Sequence, residues 1–150
     1  MEPKKASVPF QDENYLKPTM VLVDTSIWIT HLRQGSRQLE NLLKNAEVMC
    51  HPFIIGELAC GNLKNRNEIL TLLRSLPMAF TVEFDEFLLF IDHHNLMGKG
   101  IGFVDVHLLA SAQLTGVSLW TGDKRLQSVA DHLKLTFNYS HTKPQSHKAI

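Results

Sequence analysis

Four acidic residues stand beside apolar stretches of this chain, where carboxylates are least expected. Asp24 and Asp123 each follow an apolar run, Asp105 opens another, and Glu57 lies within a fourth. Burying an unpaired carboxylate costs several kcal/mol, so four such residues in one small chain predict a shared counter-charge. A hard divalent cation is the simplest counter-charge, because it binds clustered oxygen anions.

The helical neighbours of two of these acids are apolar. On a helix, Glu57 shares a face with Phe53 and Ile54, and Asp105 shares one with Leu109. Neither acid has a lysine or arginine at helical spacing, so a local ion pair does not explain them. Both carboxylates are therefore predicted to point inward.

Ordinary structural roles remain open for three of the acids. Asp24 and Asp123 suit helix N-caps, and Asp105 suits the first turn of a helix, where the dipole favours negative charge. Glu57 is placed mid-helix and has no such role. Capping and metal binding are compatible, because helices that follow parallel strands all begin at one edge of the sheet.

The residue types select the metal and the chemistry. Oxygen anions without thiolates favour Mg²⁺ or Mn²⁺ over Zn²⁺. His51, at a predicted strand end, is the one histidine placed to join such a site. Carboxylates holding divalent cations, with no evident nucleophile, suit hydrolysis of a phosphodiester by an activated water.

Neighbouring polar and basic residues are candidates for positioning the substrate. Hydroxyls beside the acids could hold a water or a phosphate oxygen, or could be plain capping groups. The glycine-rich segment 98–102 is predicted to be a flexible loop before Asp105, and cations near the mouth would bind a phosphate backbone. These residues are Thr25, Ser26, Thr121, Lys99, Lys124 and Arg125.

Short apolar runs alternate with helical stretches, which predicts an α/β fold. Near-continuous apolar strands separated by helices indicate a parallel sheet covered on both faces, with ligands bound beyond the carboxyl ends of the strands. The predicted strands are 20–23, 48–50, 79–82, 117–120 and 135–137. The predicted helices are 24–34, 36–45, 52–61, 67–75, 85–97, 104–115 and 123–132.

Length and composition fit one folded domain. The 150 residues are interpreted as a leader or added extension at 1–19, a nuclease-like body at 20–137 and a polar tail at 138–150. Basic and acidic residues balance at 15 each, so the chain is not a general polycation. It has neither a membrane-length apolar run nor a secretory signal, which predicts a cytoplasmic protein without a membrane partner. Cys50 and Cys60 are predicted to be buried, reduced thiols.

The order and context of the acids resemble those of the PIN-domain ribonucleases, and more narrowly of the VapC toxins of toxin–antitoxin pairs. The similarity spans about residues 20–137. Its motifs are Val21-Leu-Val-Asp-Thr-Ser26, Glu57 within Ile55-Gly-Glu-Leu58, Asp105 within Phe103-Val-Asp-Val-His107, and Trp120-Thr-Gly-Asp123.

This resemblance implies a three-layer α/β/α sandwich around a five-stranded parallel sheet, and RNA cleavage with Mg²⁺ or Mn²⁺. It places Asp24, Glu57, Asp105 and Asp123 at the catalytic and metal positions, and Thr121 with Thr25 or Ser26 at the hydroxyl positions. It also implies a homodimer and a VapB-like antitoxin that can insert a basic side chain into the acidic pocket.

Other functions stay open at the level of sequence. A receiver-like phosphoacceptor domain also places acids at strand ends, although it does not account for Glu57. A non-catalytic domain that binds a basic peptide, and a PIN nuclease of RNA maturation, are further alternatives.

Overall fold

A central parallel sheet organises the computed structural model, which describes residues 20–138. The predicted leader and residues 139–150 of the predicted tail lie outside the described residues. Strand β1 (Val21–Val23) lies between β2 (Val48–Met49) and β3 (Ser118–Trp120), and both pairings are parallel. The middle strand therefore directs Asp24, the residue that follows it, to the centre of one sheet edge.

Single parallel bridges extend this sheet on both sides. Cys50 pairs with Met78 beyond β2, and Leu119 pairs with Thr136 beyond β3. The predicted strands at 79–82 and 135–137 thus correspond to one bridge each, and the first bridge lies one residue before the predicted strand. A fully five-stranded sheet remains a prediction.

Helices fill the segments between the strands. Gly35, in left-handed backbone, separates α1 from α2, and Asn95, also left-handed, ends α5 three residues before the predicted end at 97. The helices of residues 20–138 are α1 (Thr25–Gln34), α2 (Arg37–Lys44), α3 (Pro52–Cys60), α4 (Arg66–Ser75), α5 (Phe84–His94), α6 (Phe103–Thr115) and α7 (Lys124–His132).

The core explains why these segments pack as they do. All three residues of β1 are inaccessible to solvent, as expected for the middle strand of a sheet with helices on both sides. Helix α6 is buried along 106–112 and packs against β3 and α5. Its burial fixes the first turn of α6, and with it Asp105, against the sheet edge. The predicted α/β class is confirmed.

The two cysteines are both free, but only one is buried. Cys50 is fully buried, and this burial raises the pKa of its thiol to about 11. Cys60 is exposed, so the prediction that it is buried was wrong: it ends α3, and the buried face of that helix runs through Ile54 and Leu58. Within residues 20–138, no helix is long and apolar enough to cross a bilayer.

Candidate active site

The four predicted acids come together at the edge where β1 and β3 end. Asp24 follows β1, Asp123 lies three residues beyond β3, Asp105 is in the first turn of α6, and Glu57 is on α3. The negative charge of Asp24 acts on both Glu57 and Asp105, and that of Asp123 acts on Asp105. One region of the surface therefore contains all four carboxylates.

Asp24 is the fixed centre of this region. Its Oδ1 accepts the backbone N–H of Thr25 at 2.8 Å, which caps α1. Its Oδ2 accepts the hydroxyls of Ser26 at 2.9 Å and Thr121 at 2.7 Å. Asp24 is 6% exposed, and these three donors compensate its charge and set its orientation.

The two hydroxyls that hold Asp24 are themselves held by backbone donors. Ser26 Oγ accepts the N–H of Gly122 at 2.9 Å, and Thr121 Oγ1 accepts the N–H of Asp123 at 3.0 Å. Each hydroxyl donates its one proton to Asp24 and accepts from the loop after β3. The network therefore ties the end of β1 to the end of β3.

The outer acids have local partners of their own. The hydroxyl of Thr25 donates to Glu57 Oε1 at 3.1 Å, and the N–H of Gly102 donates to Asp105 Oδ2 at 3.0 Å. Asp123 Oδ1 accepts two N–H groups of the first turn of α7, at 2.9 and 3.0 Å. Asp24 and Asp123 are thus N-caps as well as members of the cluster.

Burial differs among the four carboxylates. Only Asp24 is buried; Asp105 is partly buried, and Glu57 and Asp123 are exposed. The prediction that Glu57 points into the core was wrong, because Ile54 and Leu58 form the buried face of α3. Asp24 is therefore the buried member of the cluster, and solvent reaches the other three acids.

Two of the acids carry raised pKa values. Desolvation raises the pKa of Glu57, with further increases from Asp24 and Asp105, while the hydrogen bond from Thr25 lowers it. Desolvation also raises the pKa of Asp105, the Gly102 N–H lowers it, and the charges of Asp24 and Asp123 raise it. No lysine, arginine or histidine within residues 20–138 forms an ion pair with any of the four.

The donors at this edge are carboxylate and hydroxyl oxygens, the set that Mg²⁺ and Mn²⁺ prefer. In the described part of the chain, no three His, Cys, Asp or Glu side chains are grouped closely enough to hold one metal ion. Repulsion among these carboxylates, which adds to the effect of desolvation on the pKa values of Glu57 and Asp105, opposes a tighter grouping. The donor chemistry fits a hard cation, and binding one would require the outer acids to move inward.

His51 is not available as a ligand. It is fully buried and caps α3: its Nδ1 accepts the N–H of Phe53 at 3.0 Å, and its Nε2 lies 3.1 Å from Ser111 Oγ. This pattern fixes the neutral tautomer with the proton on Nε2. Burial, followed by the charge of His107, lowers its pKa to about 4. His51 is a structural residue, as the capping position next to Pro52 could have indicated.

The three predicted basic residues occupy different places. Lys124 and Arg125 are exposed in the first turn of α7, next to Asp123. The side chain of Arg125 lies across Gly100, whose left-handed φ of 75° brings the loop before α6 close to α7. Lys99 instead faces the second half of α7, near Ser128 and His132.

The sequence of this chain is similar to those of known proteins. The sequence matches the PIN domain family over residues 21–132. The chain belongs to the PIN-domain family. It is 46% identical over 110 residues to Ribonuclease VapC32 of two strains of Mycobacterium tuberculosis, CDC 1551 / Oshkosh and H37Rv; the alignment covers 73% of this chain and 89% of each relative.

Two solved structures share the fold of this PIN domain. One is the structure of FitAB bound to an IR36 DNA fragment, with a TM-score of 0.56 and 22% identity over 84% of this chain and 99% of that one. The other is PAE2754 from Pyrobaculum aerophilum, with a TM-score of 0.56 and 17% identity over 83% of this chain and 93% of that one. These findings do not favour the receiver-like alternative.

Proposed function

We propose that this PIN domain is an endoribonuclease toxin of a toxin–antitoxin pair, which hydrolyses RNA phosphodiester bonds in the cytoplasm with a divalent cation and so arrests growth. The observation that carries this proposal is the convergence of four carboxylates, without a cationic partner among residues 20–138, at the edge of a parallel sheet. The family and the name of the VapC relative support the same reaction.

Asp24, Glu57, Asp105 and Asp123 would hold Mg²⁺ or Mn²⁺. When bound, such an ion polarises the scissile phosphate and lowers the pKa of water. Asp24 is oriented in advance by its three hydrogen bonds and would anchor the cation. Desolvation raises the pKa values of Glu57 and Asp105, and a bound cation would offset that cost by stabilising their ionised forms.

The remaining residues position the RNA. Thr25 and Ser26 keep the acids in place through hydroxyls that donate to Glu57 and Asp24, respectively. Lys124 and Arg125 project into solvent beside Asp123, where they would pair with phosphates that flank the scissile bond.

Substitution of the central acids tests this function. Asp24→Asn and Asp105→Asn should abolish cleavage of end-labelled RNA in Mg²⁺ or Mn²⁺ and relieve growth arrest, while circular dichroism remains that of the parent. Asp92→Asn, which removes an exposed acid of α5, is the matched control and should cleave like the parent. Cleavage at the parental rate by both site variants would disprove the mechanism.

A groove next to Glu57 supports an antitoxin partner. The groove is about 350 Å³, and its lining combines apolar residues of α1, α3 and α4 with the polar Arg33, Asn62 and Lys64 and with Glu57. Leu32 and Ile69 also line a second hollow of about 300 Å³, so the two form one path along α1. An apolar segment of an antitoxin would occupy this path and bring a basic side chain to the carboxylates.

A substitution in the groove tests this partner. Leu32→Asp places a charge at the junction of the two hollows and should make RNA cleavage resistant to the protein encoded by the neighbouring reading frame. Full inhibition of this variant by that protein would show that the antitoxin binds elsewhere.

An exposed apolar surface on α5 and α6 supports a homodimer. Phe84 and Leu88 are one helical turn apart and exposed, and Phe84 and Phe103 flank the buried ring of Phe87 at 6.1 and 5.0 Å between centroids. Two copies joined here would cover these rings. Phe84→Asp should lower the sedimentation coefficient to that of a monomer; a parent that already sediments as a monomer would refute the dimer.

A further inference from the structure

A second groove lies against α7 and is lined by several lysine and histidine side chains. It is about 690 Å³ and lies between the segment 94–99 and the second half of α7, with Lys99, Ser128 and His132 among its lining residues. A second hollow of about 380 Å³, which includes His93 and Lys134, shares His94, Asn95 and His132 with it. The two hollows therefore adjoin each other, and together they make up the groove.

The groove presents mainly groups that bind anions. Its walls contain two lysines and three histidines against one carboxylate, Asp131. That carboxylate already accepts the hydroxyl of Thr136. Asn95 and Ser128 add neutral donors. The excess of donors and of positive charge matches a row of phosphates, whereas an acidic cation site would require the opposite composition.

One wall of the groove is close along the chain to a member of the acidic cluster. Lys99 is three residues from Gly102, whose N–H binds Asp105, so the two points lie within about 10 Å along the chain. On the other wall, α7 leads from Asp123 to His132 over nine residues, about 13 Å at 1.5 Å per residue. Arg125, in the first turn of α7, lies across Gly100, the residue that follows Lys99.

Histidine rings at the far end add surfaces on which bases can stack. The rings of His93 and His94 are 4.7 Å apart, and His94 contacts Phe90 at 4.6 Å between centroids. Aromatic and histidine rings commonly stack unpaired bases of single-stranded RNA. This combination of cations and rings fits single-stranded RNA better than it fits an acidic protein.

We propose that the groove between the segment 94–99 and α7 holds the sugar–phosphate backbone of the RNA beyond the scissile bond. This inference rests on the proposed ribonuclease function and extends it to a second binding surface. Lys99 and Lys134 each contact a phosphate in this arrangement. Because each phosphate contact releases condensed counterions, their contribution is measurable as a dependence of affinity on salt.

The test compares two double variants of the full chain, each in the Asp105→Asn background that prevents turnover. Lys99→Gln with Lys134→Gln removes two positive charges from the groove, and Arg37→Gln with Lys44→Gln removes two from the exposed surface of α2. Binding of a fluorescein-labelled single-stranded 20-nucleotide RNA is measured by anisotropy between about 50 and 200 mM KCl.

With a slope of about 0.7 per phosphate contact on single strands, the groove variant should lose about 1.4 from the slope of log Kd against log salt. Over this fourfold salt range, the affinity of the Asp105→Asn parent should therefore fall about 7-fold more than that of the groove variant. The α2 variant should keep the parental slope. Equal slopes for the groove and α2 variants would overturn the proposal.

Lys134 has a left-handed φ of 58°, so Lys134→Gly removes the charge while relieving the backbone. The double variant Lys99→Gln, Lys134→Gly should lose the same amount of slope as the groove variant. Because Lys134→Gly removes the charge without straining the backbone, the same loss would show that charge and not misfolding is responsible. Cleavage of the same RNA by the parental chain is scored separately. If the parental chain cleaves the RNA but the groove variant keeps the parental salt slope, only the proposal about the groove is overturned. If the parental chain shows no metal-dependent cleavage, the proposed function and the groove proposal are both overturned.

Discussion

The hydroxyl of Thr121 should be a principal stabiliser of the site, and an isosteric substitution isolates it. Thr121→Val keeps the shape of a side chain that is 7% exposed and removes the 2.7 Å hydrogen bond to Asp24 Oδ2. A hydrogen bond to an ionised group contributes about 1.5–3 kcal/mol. The N–H of Asp123 also loses its acceptor, but Asp123 is exposed and water can replace it at little cost.

The free energy of unfolding of Thr121→Val should therefore be about 2–3 kcal/mol lower at pH 7, measured by urea titration. Thr121→Ser is the matched control: it keeps the hydroxyl and loses one methyl, at a cost of about 0.8 kcal/mol. The two variants should differ by about 1.5–2 kcal/mol. A difference below about 0.5 kcal/mol would refute the idea that the hydroxyl compensates the buried carboxylate.

Three further predictions address other parts of the molecule. Because the pKa of His51 falls from 6.5 to about 4 on folding, unfolding takes up a proton, so stability should decline by up to about 3 kcal/mol as pH falls from 6.5 to 4. His51→Asn, which retains an acceptor for the α3 cap, should flatten this profile in urea titrations. Gly98→Ala and Gly100→Ala should each destabilise by about 1 kcal/mol, since both glycines have positive φ. Only Gly100→Ala should also weaken RNA binding, because its Cβ would lie 3.0 Å from Arg125 Cδ. Glu57→Gln keeps an acceptor for Thr25 but removes one of the repelling charges. Its melting temperature in EDTA should equal or exceed that of the parent, and Mn²⁺ should raise it less.

Each of these predictions has a contradicting result. A pH profile of His51→Asn as steep as the parent's would mean that another group controls acid unfolding. Equal RNA affinities for the two glycine variants would show that the position of Arg125 does not matter. An undiminished Mn²⁺ stabilisation of Glu57→Gln would remove this residue from the metal site.

The local pattern of the sequence predicted the seven helices of residues 20–138, the three strands of their sheet and the acids that meet at its edge. Asp24 and Asp123 could be placed at strand ends because an apolar run precedes each and a helix follows each. The carboxyl ends of parallel strands share one edge, so their proximity followed from topology before any distance was known. The segment that carries Asp105 was also recognisable, since a capping glycine, Gly116, marks the end of α6.

Tertiary structure alone decided how each carboxylate meets solvent and what holds it. Helical spacing places Glu57 beside apolar neighbours, but α3 packs so that Glu57 is exposed. The periodicity of the sequence does not define how the helix is rotated about its axis. The bond from Thr121 to Asp24 joins residues 97 positions apart, and the contact that turns Ser26 toward Gly122 joins residues 96 positions apart. Lys99 lines one groove with His94 of α5 and His132 of α7 because the packing of α7 against the segment 94–99 brings these residues together. No local sequence pattern relates them.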